Sequence, residues 1–238
     1  VVDFNTNKYI TVFTKNGMVK QTQISEQKVQ RYSKPVTLQK LKEKDKIVSV
    51  VVAKKEIFIT TNRGYGLRYN SNEVPTTGLR GSGVKAINLK EDFVISGQSY
   101  DEASFISIIT DKGTAKRIKI DEFELTSRAR KGVLVVRDVK TNPYHIINSF
   151  ATNNKKEVGI ITDETTYHKV TEFPICDRYQ TGSQITKEKI ERVFMKTQIT
   201  NGTDNNSEEV EENIEVSLDK VDEQIMTIDD FLDDLKDS

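Results

Sequence analysis

Alternating apolar and polar positions mark most of this chain as strand-forming. VKQTQI at 19–24 alternates as a strand with one wet face does, whereas IVSVVVA at 47–53 suits a strand covered on both sides. The pattern predicts a first unit of four strands at 9–13, 18–24, 36–41 and 47–53. Residues 84–89 and 93–96, then 133–137 and 145–150, repeat the second pair of those strands.

FTKNGMVK at 13–20, TTNRGYGLRY at 60–69 and ITDKGTAKRI at 109–118 share one pattern, an apolar strand, Thr, two polar residues, Gly and a strand with basic residues. ITDETTYHKV at 161–170 is a degenerate fourth copy, with Thr165 in place of the glycine. The threonines at 14, 61, 110 and 162 are 47, 49 and 52 residues apart, close to the period of a four-stranded propeller blade. Asn16-Gly17 predicts a two-residue hairpin with positive φ at both positions, and Gly64 and Gly113 suit slightly longer hairpins. The predicted architecture is all-β, in about four blades at 8–55, 56–103, 104–155 and 156–198. VVDF at 1–4 reads as the end of a preceding, truncated blade (1–7), so the chain is expected to be a piece of a longer protein.

Between the second and third predicted strands of each repeat lies a basic loop: VQRYSKPV at 29–36, TGLRGSGVK at 77–85, LTSRARKGV at 125–133 and DRYQTGS at 177–183. Arg31, Arg80, Arg130 and Arg178 follow their repeat's threonine by 17, 19, 20 and 16 residues. Equivalent loops of successive blades emerge on one rim, which predicts a ring of guanidinium groups. Lys34, Lys85, Arg128 and Lys131 lie in or beside the same loops, and Lys20, Arg63, Arg68, Lys116 and Arg117 add basic strand positions. Arginine's planar fork bonds phosphate oxygens in pairs, and glycines such as Gly81, Gly83, Gly132 and Gly182 let a phosphate backbone come close. A single such loop reads as a solvated basic turn; four in register favour a polyanion site. A P-loop is excluded, because no Gly-Lys-Ser/Thr follows and a strand replaces the expected helix. Base-reading elements are not apparent, so binding is expected to depend on charge and shape.

Charge sharpens this picture. The formal net charge is zero, but residues 201–238 hold 14 acidic residues against 2 lysines, a net of −12, which leaves +12 on residues 1–200. Apolar content is 35%, below the average of roughly 45–50%, consistent with a segment outside any core. No window approaches the roughly 18 apolar residues of a membrane helix. One cysteine, Cys176, excludes an internal disulfide framework and fits a reducing cytoplasm, and two distant histidines, His145 and His168, make a His/Cys metal site improbable. No nucleophile-base pair or nucleotide loop points to a free-standing enzyme.

TKNGMVKQT with VQRYSKP, TNRGYGLRY with GLRGSGVKAINL, and TDKGTAKRI with EFELTSRARKGV resemble successive repeats of the C-terminal domains found in the family of gyrase and topoisomerase IV A subunits. The likeness covers about residues 8–196. No loop carries the full Gln-Arg-Arg-Gly-Gly-Lys-Gly heptad of gyrase, which points to the topoisomerase IV branch of Gram-positive bacteria. The resemblance implies a β-pinwheel, in which neighbouring blades exchange an outer strand and double-stranded DNA bends around the basic rim. It implies presentation of a DNA segment for ATP-driven strand passage, supercoil relaxation and decatenation in chromosome segregation. The expected partners are the remainder of the A subunit together with the B subunit, in an A2B2 assembly at the bacterial nucleoid. ATP and Mg2+ belong to the complete enzyme; no cofactor and no catalytic residue is expected in this chain. Tyr32 and Tyr179, beside loop arginines, are expected to pack or to touch sugar-phosphate.

Residues 199–224 have the composition of a disordered acidic linker. Ile225, Ile228, Leu232 and Leu235 then recur at helical spacing behind Thr227 as N-cap, so 225–238 forms either a short acidic amphipathic helix or a disordered tail. Such a tail is expected to compete with DNA for the rim. The alternative function is a propeller that docks an acidic protein. Salt dependence separates the two: about eight neutralised phosphates give a log-log slope of roughly −7 for duplex DNA.

Overall fold

The computed structural model describes residues 7–28, 35 and 37–196. The predictions for VVDF, Arg31, Tyr32, Lys34 and the acidic tail lie outside the described residues. The first repeat supplies β1 (Tyr9–Thr14), β2 (Met18–Gln23) and β3 (Ile47–Val52); the second supplies β4 (Glu56–Thr61), β5 (Tyr65–Asn70), β6 (Val84–Lys85) and β7 (Val94–Tyr100). The third supplies β8 (Phe105–Thr110), β9 (Thr114–Lys119), β10 (Leu125–Thr126), β11 (Val133–Leu134) and β12 (Ile146–Thr152). The fourth supplies β13 (Glu157–Ile161), β14 (Thr165–Lys169), β15 (Ser183–Gln184) and β16 (Arg192–Lys196).

Local chemistry explains why the Thr-x-x-Gly motif recurs. Gly17, Gly64 and Gly113 take φ of +77°, +82° and +69°, and their N–H groups donate to the carbonyls of Thr14, Thr61 and Thr110 at 3.0, 3.1 and 3.0 Å. Each threonine hydroxyl accepts a second N–H, from Met18 at 3.1 Å, Tyr65 at 3.0 Å and Thr114 at 3.3 Å. The hairpin tip is thus held by one backbone and one side-chain bond. Asn16 is not among the residues with positive φ, so the expected primed turn gives way to a three-residue loop with its left-handed position at the glycine.

The sheets run β3-β1-β2-β6, β7-β4-β5-β11, β12-β8-β9-β15 and β16-β13-β14, with β10 lying parallel beside β5. β6, β11 and β15 pair antiparallel with β2, β5 and β9, so the outer strand of each of the first three sheets comes from the following repeat. This is the strand exchange of a β-pinwheel. The third strand expected in each repeat is therefore corrected in length and in partner. Residues 37–41 carry no strand, and the runs at 84–89 and 133–137 form ladders only over Val84–Lys85 and Val133–Leu134. Their apolar remainders, Ala86 and Ile87, then Val135 and Val136, fill the core between blades instead.

The core sits between neighbouring sheets. Ile57 and Ile59 of β4 join Phe13 and Val19 of the first blade, whereas Phe58 between them joins Ile106, Ile108 and Phe123 of the third. A third cluster joins Ile109 and Phe150 to Val158 and Ile160. Alternate residues of one strand thus serve different clusters, as expected of a sheet covered on both faces. β3, β7, β12 and β16 stand side by side on the inner edge. They are stitched by Gly97 N–H to Ser49 Oγ at 3.0 Å, Ser96 Oγ to the Ser149 carbonyl at 2.9 Å, and Asn148 Nδ2 to the Val193 carbonyl at 3.1 Å.

Candidate nucleic-acid interface

Each exchanged strand is preceded by one of the basic loops, and a glycine docks the loop onto the previous blade. Gly83, Gly132 and Gly182 have φ of +80°, +81° and +83°; a Cβ on any of them would stand 2.3 Å from the carbonyl oxygen of Val19, Gly66 or Ala115. These glycines make room for a neighbouring strand, which corrects the expectation that they make room for phosphate.

The same glycines set the register of the loops. Counting back from them, Arg80 matches Ala129 and Tyr179, while Arg128 matches Arg178. Arg80 and Ala129 share a left-handed backbone, with φ of 67° and 63°. Arg80, Arg130 and Arg178 therefore occupy three different loop positions, three, two and four residues before the docking glycine.

Arg128 and Arg178 turn back into the protein. Their backbone N–H groups donate to Glu73 Oε2 at 2.7 Å and Glu122 Oε2 at 3.2 Å. The Arg128 guanidinium bonds the carbonyls of Glu73 and Lys85, and Arg178 Nη1 reaches the Leu134 carbonyl at 3.4 Å. Lys85 and Leu134 are equivalent residues of the exchanged strands, so both arginines tie a loop to the strand beneath it. Further bonds, Ala129 N–H to the Ala86 carbonyl at 2.9 Å and Asn88 N–H to the Arg130 carbonyl at 2.8 Å, join the second and third repeats' segments into one edge.

Other cations point outward from that edge. Arg80 is exposed and has no hydrogen-bond or ion-pair partner among the described residues. Arg130 and Lys131 are exposed, Arg130 Nε bonding Ser127 Oγ at 3.1 Å and Lys131 Nζ lying 4.2 Å from the centre of the Tyr65 ring. Lys85 is exposed and donates to Asn88 Oδ1 at 2.8 Å, and Arg63 is exposed at a hairpin tip, its N–H on Asp92 Oδ1 at 3.1 Å. Between the loops at 126–132 and 177–182 lies a cleft of about 690 Å³, with Arg130 and Lys131 on one side and Arg178 on the other.

The remaining basic strand positions do not reach solvent as a DNA contact would require. Lys20 and Lys116 are 0% and 1% exposed. Lys20 Nζ donates to the carbonyls of Leu38 and Gly78, both at 2.7 Å. Lys116 Nζ donates to those of Asp177, Arg178 and Gln180 at 2.9, 3.0 and 2.6 Å. Lys116 takes all three carbonyls from the next repeat's basic loop, whereas Lys20 takes one from the next repeat, Gly78, and one from its own, Leu38; in the middle blade the equivalent residue is Leu67. Burial lowers the pKa of Lys20 below its usual value and brings Lys116 down to about 8. One residue further on, Gln21 Nε2 bonds the Ser71 carbonyl at 3.4 Å, Arg68 bonds the carbonyls of Ile120 and Phe123, and Arg117 bonds those of Phe173 and Thr171. Arg68 also pairs with Glu56 at 2.8 and 3.1 Å, and this bond holds the Glu56 carboxyl below its usual range. Arg117 is further bonded to Asn154 Oδ1 and its pKa is lowered by burial.

Sequence reasoning missed these inter-blade staples, since alternation cannot show which loop will cover a strand's apparently wet face. It also missed Arg137, which lines a cleft with residues of the fourth repeat's loop. The available signal was an arginine at the position where the second repeat has Asn88. Among the described residues no group of three or more His, Cys, Asp or Glu could hold a metal ion, and no helix is long and apolar enough to cross a membrane.

Successive hairpin sheets that lend an outer strand backward define a propeller of the pinwheel type, with basic loops along its exchange edge. The profile described as "DNA gyrase C-terminal domain, beta-propeller" matches residues 8–54, 55–97 and 105–153, and the chain belongs to that family. Similar proteins include the DNA topoisomerase 4 A subunit of Bacillus subtilis (strain 168), 39% identical over 188 residues, with 77% of this chain and 23% of that protein covered. Its counterpart from Staphylococcus aureus is 39% identical over 197 residues, covering 77% and 24%. The chain thus spans about a quarter of the length of these relatives. The solved C-terminal domain of DNA topoisomerase IV superposes with a TM-score of 0.77 at 35% identity, covering 82% of this chain and 64% of that one. The DNA gyrase A C-terminal domain, at TM-score 0.71 and 17% identity over 81% and 67%, shares the fold.

Proposed function

We propose that the exchange edge binds and bends double-stranded DNA. The observation that carries this reading is that Arg80, Arg130 and Lys131 stand exposed on loops of neighbouring repeats, while Arg128 between them and Arg178 of the next loop are committed inward. Guanidinium and ammonium groups on such an edge neutralise phosphates irrespective of base sequence and release condensed counterions. A duplex that follows the edge from blade to blade must curve, at a cost of order 1–6 kcal/mol for smooth bending of 20–30 base pairs, offset by the added contacts.

On the same reading the blades at 8–55, 56–103, 104–155 and 156–198 form the DNA-presenting part of a bacterial topoisomerase IV, in its A subunit. The bent segment is offered for ATP-dependent strand passage and decatenation by an A2B2 enzyme at the nucleoid. ATP and Mg2+ act elsewhere in that enzyme, and this chain contributes binding without cleavage.

Energy transfer between dyes on the two ends of a duplex of about 30 base pairs tests the bend. Binding is expected to bring the ends closer, and less so with R80A/R130A/K131A. A duplex that binds tightly yet keeps its free end-to-end distance would overturn the reading, and binding of an acidic protein with no affinity for DNA would replace it.

A further inference from the structure

The fourth repeat's loop lacks the outward cation of the second. Tyr179, 59% exposed, takes the place that Arg80 has in the second repeat, and the guanidinium of the adjacent Arg178 is drawn to the Leu134 carbonyl and, at 3.9 Å, to Glu122. The loop is nevertheless held firmly. Lys116 fixes three of its carbonyls, and Asp177 Oδ1 accepts the N–H groups of Tyr179 and Gln180 at 2.8 and 3.0 Å.

Beside this loop lies a cleft of about 470 Å³, lined by Tyr179, Gln180, Thr181 and Ser183, and by Arg137 from the third repeat. Arg137 is exposed and has no hydrogen-bond or ion-pair partner among the described residues. It sits in the connection between β11 and β12, and the third repeat's threonine stands 52 residues before the next, against 47 and 49 for the earlier two. Its equivalent in the second repeat, counting from Gly83, is Asn88, which is committed to Lys85.

We infer that Arg137 and the polar side chains of Tyr179, Gln180 and Thr181 form a further phosphate-binding point, taking a backbone phosphodiester of duplex DNA. The guanidinium supplies the charge and the paired donors, and the phenol, amide and hydroxyl supply neutral donors around it. An arginine where the second repeat has Asn88 thereby replaces the cation that the next repeat's loop has turned inward. The only carboxylate on the loop, Asp177, is engaged by the two N–H groups named above, and buried Lys116 offsets its charge from behind. This inference rests on the proposed DNA binding and assigns that edge a contact point the basic loops themselves do not provide.

Cys176, the single cysteine of the chain, lines the same cleft and reports on it. The full chain is alkylated with a maleimide in the presence and absence of a 20-base-pair duplex, while binding is followed separately by anisotropy of the labelled duplex. The wild type is expected to bind the duplex and to be alkylated several-fold more slowly when bound. R137A is expected to bind about three- to tenfold more weakly and, at saturating duplex, to lose the protection, with its salt slope lowered by about one. R80A is expected to weaken binding similarly but to keep the protection at saturation. Binding with the cysteine equally reactive in both states, or protection unchanged in R137A, would overturn the inference and leave the proposed DNA binding standing. No duplex binding at all would remove both.

Discussion

Lys116 and Gln180 lie on different repeats, yet the buried ammonium of one donates to the carbonyl oxygen of the other at 2.6 Å. With the carbonyls of Asp177 and Arg178 it completes a three-point hold that points loop carbonyls inward and away from a polyanion. A lysine in a strand thus does for the next blade what a cap does for a helix end.

Replacing Lys116 by Met leaves those three carbonyls without their donor. K116M is expected to lose about 1–3 kcal/mol of stability and to speed amide exchange in residues 177–182, because a buried acceptor without a partner pays its desolvation in full. The pH dependence has a definite sign. The folded pKa, about 8, is below the usual 10.5, so between those values the unfolded chain holds more protons. This group's contribution therefore rises with pH across that window, and urea melts should show the gap between wild type and K116M widening from pH 7.5 to pH 9.5. A constant gap would place the lowered pKa in doubt.

Glycines two residues apart in one loop should behave differently. G83A puts a methyl 2.3 Å from the Val19 carbonyl at a φ of +80°, whereas the nearest atom to a Cβ on Gly81 is Thr77 Oγ1 at 3.2 Å. G83A is expected to cost at least about 2 kcal/mol, and G81A less than about 1 kcal/mol, in denaturant unfolding. Equal effects would mean that the exchanged strand does not dock through Gly83.

The Arg68–Glu56 pair predicts acid sensitivity. Arg68 holds the Glu56 pKa below its usual 4.5, so the pair's contribution is fully present above that value and is lost as pH falls through the folded pKa. E56Q should be less stable than wild type at pH 7, and the gap should be smaller at pH 3. The readout is the midpoint of urea unfolding at the two pH values.

The fold was legible wherever neighbours in sequence make the structure. Thr14 with Gly17, and their counterparts, close their own hairpins by local bonds, so the repeat could be read directly. Strand exchange was not legible from periodicity, because whether Val84 pairs with its own sheet or with Val19 of the previous one depends on distant backbone; only the family resemblance implied it. The basic positions split for the same reason. Arg80 and Lys131 are outward as their loops suggest, but Lys20, Arg68, Lys116 and Arg117 look identical in sequence and are covered by the next repeat. Similar but unequal offsets from the threonine, 19 and 16, grouped Arg80 with Arg178, and only the docking glycines showed that Tyr179 is the true counterpart.

Duplex binding as a function of salt tests the account most directly. At fixed pH the wild type is expected to bind mixed-sequence duplexes with a linear log-log slope of several units, and R80A/R130A/K131A to bind more weakly with a slope lower by about two to three. A slope near zero, or one left unchanged by the triple substitution while binding persists, would contradict the claim that this edge holds DNA by its phosphates.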